Sequence, residues 1–163
     1  MAFDAFLDLK GVTGEATAAG FEGKMEIYSF SWGASNPTTV GSGSSGLSGG
    51  KVSVSSFNVM KKSETASATL FGACCTGQHF DTATLSMRKA GGDSGQKVFL
   101  TYEFTDVMVE SIQWSGSSGG DDTPTESVSF AFGKCKITYY SQDAKGAVKK
   151  VSEASWDLTK VSK

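Results

Sequence analysis

Apolar residues in this chain recur mostly at every second position, the period of a strand with one buried face. Phe3, Ala5, Leu7 and Leu9 alternate with polar neighbours at the start. In KMEIYSFSWGAS, Met25 and Ile27 share one parity while Tyr28, Phe30 and Trp32 take the other. The segment from Val52 and Val54 to Phe57 and Val59 slips in the same way. Such slips imply bulges, or strands covered on both faces. Further strands are expected at Ala83-Leu85-Met87, Val98-Leu100-Tyr102-Phe104, Val107-Val109 continuing to Ile112-Trp114, Val128-Phe130-Phe132, Ile137-Tyr139 and Ala154-Trp156-Leu158. The clusters GDSGQ, GSSGGDD and DAKG separate them as turns.

One segment breaks the two-residue period. In KKSETASATLFGACCTG, Ala66, Leu70, Ala73 and Cys74 fall at i, i+4, i+7 and i+8, a single apolar stripe on a helix. Ser63 is the expected N-cap, Glu64 the first-turn acid favoured by the helix dipole, and Gly77 the stop. The helix should lie against the sheet system as a plug or flank. The pattern predicts a mainly β fold, a two-sheet barrel or sandwich with one short helix. At 163 residues, with no internal repeat, the chain reads as a single domain, 1–163.

Composition narrows the function more than it names it. A net charge of −2 and one arginine, Arg88, argue against nucleic-acid binding. The start MAFDAFLDLKG lacks a basic secretory n-region, and no segment nears the roughly 20 apolar residues of a membrane span. Cytoplasmic synthesis without stable membrane insertion is the expectation. Cys74, Cys75 and Cys135 form no disulfide framework or zinc spacing and read as buried reduced thiols.

The tract TTVGSGSSGLSGGKVSV carries a literal G-x-G-x-x-G at Gly41, Gly43 and Gly46. A dinucleotide loop needs a helix after it, so that the phosphate meets the helix N-terminus. Here KVSVSSFNV follows with strand periodicity, and the P-loop pattern fails because Val52 stands where Ser or Thr must follow the lysine. The nucleotide reading is rejected.

Catalytic candidates are thin. His79, the only histidine, reads as structural or as a surface residue, although a hydrolase would have to use it. Asp121 and Asp122 fit a solvated turn better than a cation site. Lys61-Lys62 and Lys149-Lys150 read as wet strand ends. Trp32, Trp114 and Trp156 fit strand alternation and are expected to be buried; a lectin would instead expose Trp114 beside the Asp121-Asp122 loop. No catalytic, cofactor-binding or metal residue is assigned, no cofactor is expected, and the chain does not read as an enzyme.

The ordered set FDAFLDLKGVTGE, IYSFSWGAS, TLFGACCTGQHFDTATLSMRKAGG, YEFTDVMVESIQWSGSSGG and, around Glu126, TESVSFAFGKCKITYY resembles the haemolysin-coregulated protein (Hcp) family along essentially the whole chain. The resemblance implies a type VI secretion inner-tube subunit, with a β-barrel and flanking helix like those of phage tail-tube proteins. It implies homo-hexameric rings that stack, sheath, tip (spike) and effector partners, and a path from bacterial cytoplasm to secretion. A phage-type tail-tube subunit and a carbohydrate-binding β-sandwich are the alternatives. The family's ring-stacking loop falls on Gly41, Ser42, Gly43, Ser44, Ser45, Gly46, Leu47, Ser48, Gly49 and Gly50, a tract expected to be disordered in isolated rings and ordered in stacks. Ser31, opposite in parity to Phe30 and Trp32, is expected to face the channel and contact cargo, with a chaperone-like role for the lumen.

Overall fold

Strand β1 (Phe3–Leu9) turns Ala5, Leu7 and Leu9 into the core, as its alternation requires. In the computed structural model, which describes residues 3–41, 46–89 and 95–163, β1 pairs antiparallel with β2 (Met25–Ile27) and with β9 (His79–Lys89). The ladder continues through β10 (Lys97–Ser115), β11 (Thr125–Gln142) and β8 (Phe57–Lys62) to β3 (Ser29–Ser31). The two ends of this path, β2 and β3, are separated in the chain by Tyr28 alone. The sheet therefore curls until its first and last strands meet through one residue, whose N–H donates to the Met60 carbonyl at 2.9 Å. The parity slip in KMEIYSFSWGAS is this change of partner: Met25 and Ile27 serve β1, Phe30 serves β8, and the expected single strand is two.

The other slips have equally local causes. On β10 the ladder shifts register between Val109 and Ser111, so Val107 and Val109 face inward before it and Ile112 after it. Asp106, in the left-handed region at φ 55°, separates inward Phe104 from inward Val107. The second slip, from Val52 and Val54 to Phe57 and Val59, marks a passage from β7 (Ser53–Val54), which pairs with β4 (Ala34–Ser35), into β8.

Aromatic side chains dominate the core. Phe57 stacks on Phe104 with centroids 4.5 Å apart, and Trp32 meets Phe104 edge-on at 5.0 Å. Helix α1 (Ala66–Thr76) contributes Ala66, Leu70 and Ala73, three members of the expected stripe; Cys74 is half-buried against the same core. Gly77 ends the helix at φ 70°, its N–H donating to the Ala73 carbonyl.

The helix start differs from expectation. The capping residue is Thr65, and Ser63 and Glu64 precede the helix, which has no acid in its first turn. The Thr65 N–H and hydroxyl both donate to the carboxylate of Glu15, fifty residues earlier. In return the Glu15 N–H donates to the Glu64 carboxylate at 3.2 Å. This is a reciprocal cap between two segments, so a local Ser cap is not needed. Arg88 secures the same 10–24 segment at its other side. Its guanidinium lies over both rings of the stacked pair Phe6 and Phe21, 5.0 and 5.4 Å from their centroids, and pairs with Asp4. That stack explains why Phe6 is buried on the face that alternation assigns to solvent.

Candidate functional site

Between β3 and β8 the chain leaves the barrel as a long hairpin. β4 pairs with β7 at its root, and β5 (Thr38–Val40) pairs with β6 (Leu47–Gly49) further out. The Gly33 N–H donates to the Ser55 hydroxyl at 2.8 Å, closing the root. The Gly50 N–H donates to Asn36 and to the Pro37 carbonyl, and the Thr39 and Ser48 hydroxyls are 2.8 Å apart across the ribbon. A side chain at Gly50 would sit 2.7 Å from the Pro37 carbonyl oxygen, so that approach requires glycine. The glycine tract is thus the end of an arm whose stem is paired within a single copy. Of the ten loop residues, Gly41, Gly46, Leu47, Ser48, Gly49 and Gly50 are placed on this arm; Ser42, Gly43, Ser44 and Ser45 lie outside the described residues. Every described residue from Thr38 to Lys51 is exposed, and Val40 and Leu47, opposite one another, are 78% and 69% exposed.

Ser31 is exposed on β3, and its neighbours Phe30 and Trp32 pack against the core, as parity requires. It pairs with Asn58, which pairs with Ser129, whose hydroxyl donates to the Asn58 side chain. The outer face here is therefore a row of short polar groups.

A second surface lies on the far half of β11. Its near half, Thr125–Phe130, pairs with β8, whereas Lys134–Gln142 pairs with β12 (Val148–Asp157). Among the described residues β12 has β11 as its only ladder partner, so its other edge is open. Ile137, Tyr139, Val148 and Val151 are exposed on this lobe. Against the arm's root the lobe forms an apolar cavity of about 260 Å³ lined by Trp32, Val54, Cys135, Ile137, Ala154 and Trp156. Open edges and contiguous apolar surface are what self-association covers.

Below the barrel's other end sits a buried charge cluster. Lys61, expected at a wet strand end, is 1% exposed, with its ammonium 2.8 Å from the Glu126 carboxylate and 3.6 Å from that of Glu64. Glu126 is 0% exposed and accepts the Trp114 indole N–H at 2.8 Å. Burial pulls Glu126 upward. Hydrogen bonds from Lys61, Ser67 and Trp114, with the lysine's charge, outweigh it and hold the carboxyl below its ordinary range. Burial, only partly offset by Lys61, raises Glu64. Parity could have found the pair: Lys61 follows inward Phe57 and Val59 at the same spacing, and Glu126 precedes Val128 and Phe130.

The remaining candidates are dispersed. His79 and Asp106 are 2.9 Å apart, both exposed, at the foot of the helix. Of the thiols only Cys135 is buried; Cys75 is exposed because it turns away from the helix's inward stripe. Trp32 and Trp156 are half-buried, but Trp114 is 45% exposed, tilted against Phe71. With Asp121 it lines an open cavity of about 410 Å³. The expectation of three buried tryptophans fails there because Trp114 lies past the register shift, at the barrel's rim.

Comparison with known proteins places these features. A family model described as "Type VI secretion system effector, Hcp" matches residues 6–139. Protein hcp1 of Pseudomonas aeruginosa (strain PAO1) is 36% identical over 97 residues, 60% of this chain. The aligned part spans 59% of that relative's length. A solved type six secretion system protein, 37% identical, superposes with a TM-score of 0.90 over 98% of each chain. Hcp1 from Salmonella typhimurium, 30% identical, does so at 0.78 over 99% of each. Since the family model runs from β1 into the far half of β11, and the solved relatives superpose over nearly the whole chain, the chain belongs to the Hcp family of type VI secretion system proteins.

Proposed function

We propose that this chain is a structural subunit of the type VI inner tube. Six copies close into a ring, rings stack, and the tube carries effectors under a spike tip inside a contractile sheath. The observation that supports this most is the pairing of an open strand edge with a projecting arm, both on one small domain. The edge of β12 suits a neighbour related by rotation, which closes. The arm suits a copy displaced along the barrel, which propagates. The role is structural and carrier-like rather than enzymatic, and the family match favours it over the phage tail-tube and lectin readings.

In this reading the protein is made in the bacterial cytoplasm and leaves with the tube. Among the described residues no helix is long and apolar enough to cross a membrane. Tagged protein should accumulate in cleared culture medium and vanish from it when the sheath gene is deleted, with cytoplasmic levels unchanged. Undiminished release without the sheath would contradict the tube role.

Ser31 is the proposed cargo contact, facing the channel from the polar row it shares with Asn58 and Ser129. Ser31→Gln adds a long side chain there without touching the core. Effector retention in a pull-down should fall several-fold while ring mass stays constant. Unchanged retention would remove Ser31 from the cargo surface.

A further inference from the structure

We propose that the cavity beside Trp114 is the socket that receives the arm of a second copy. This deepens the stacking reading above and rests on it. The two features lie at opposite ends of one strand. The arm leaves β3 after Ser31 and re-enters at Phe57, where β8 begins; β8 ends at Lys62, which pairs with Thr125. The next residue, Ser63, donates its N–H to the carbonyl of Pro124, a wall of the cavity. The residues of β8, at about 3.3 Å each, set arm and cavity roughly 20 Å apart along the strand direction. A contact from one end of a copy to the opposite end of the next is head-to-tail, and when it does not close it builds a filament.

The two surfaces match in shape class and in charge. The arm offers Val40 and Leu47 as an exposed apolar cross-strand pair, outside the core of its own copy. The socket offers an apolar floor of Trp114 and Pro124, with Ser115, Ser117 and Thr123 around it. The indole is fixed before any partner arrives, because its N–H is held by buried Glu126, and a preformed wall loses little freedom on binding. From Gly33 to Ser56 the only charged residue is Lys51, and from Ser115 to Thr125 the only charged residues are Asp121 and Asp122. The arm is thus cationic and the socket anionic. Charge complementarity of this kind sets register and rejects the reversed stacking polarity, in which two arms would face each other.

The test uses the full chain carrying Cys75→Ser, so that the exposed native thiol does not compete. Leu47→Cys with Ser118→Cys, assembled and then oxidised, should give a non-reducing ladder extending past the mass of one ring. Each single variant should stay unlinked, because a disulfide forms only where Cα atoms come within about 7 Å. In parallel, Lys51→Glu should lower the pelletable tube fraction about tenfold, since a weak ion pair repeated around a ring acts multivalently. Adding Asp121→Lys and Asp122→Lys to that chain should restore it. A ladder that stops at the mass of one ring places the contact within the ring and overturns the socket. So do tubes that form normally with neither cross-link nor charge rescue, although the stacking role would survive them. Absence of rings and tubes from the unaltered chain overturns both.

Discussion

Lys61→Met lowers stability by about 3–5 kcal/mol, because it leaves Glu126 charged, buried and without its cation. For a domain of this size the melting temperature should fall on the order of 10 °C. The double variant Lys61→Met/Glu126→Leu should recover much of the loss, since an apolar pair of similar volume tolerates the site better than a lone carboxylate. The pH dependence should change sign as well. In the parent, Glu126 is held below its ordinary range, so its contribution is fully present above its unfolded value of about 4.3 and is lost as pH falls through the folded value. Glu64, raised by burial, opposes this: its ionisation in the folded state costs stability that acid restores. Without Lys61, burial acts on both carboxyls unopposed by the lysine, and stability should increase as pH is lowered from about 7 towards 5. Denaturant midpoints measured across that interval decide the matter. A Lys61→Met protein that matches the parent's stability and its pH profile would show that the pair is solvated.

Deleting Gly41 to Gly50 leaves rings intact and abolishes tubes. The deletion removes β6, none of whose residues enters the core, and it spares β8 and the β11–β12 lobe. Loss of exposed residues of this kind shifts domain stability by roughly 0.5 kcal/mol or less. The arm nonetheless carries the exposed Val40–Leu47 pair, and the deletion takes Leu47 from it. Negative-stain images should show annular particles and no filaments. Normal tube formation by the deleted chain would remove the arm from stacking altogether.

The fold was legible wherever one face met the core and the other met water. Ala5, Leu7 and Leu9, Ala83, Leu85 and Met87, and Val128 and Phe130 are buried where alternation placed them. Parity slips carried topological information: the slip at Tyr28 joins the two ends of the sheet, and the one at Glu110 is a register shift. What alternation by apolar type could not show was a polar residue on an inward position. Lys61 and Glu126 form a buried ion pair, and neither is apolar. Long-range capping was hidden for a related reason. Ser63 is a sound local cap, but Glu15, brought in by the 10–24 segment, supplies a charged acceptor that no local window contains. The glycine tract showed that a loop was needed there. Its stem pairs because Thr38–Val40 and Leu47–Gly49 can hydrogen-bond across it, a property invisible in a run of glycine and serine. The open edge of β12 depends on which half of β11 pairs with which strand, and the exposure of Trp114 on its place at the barrel's rim; both are matters of topology.

Self-association underlies the proposed role, so the mass of the purified chain in solution tests it most directly. Native mass spectrometry at micromolar concentration should give six times the 17.0 kDa chain, with the same particles annular by electron microscopy. A 17.0 kDa species persisting at high concentration, with no annular particles, would contradict it.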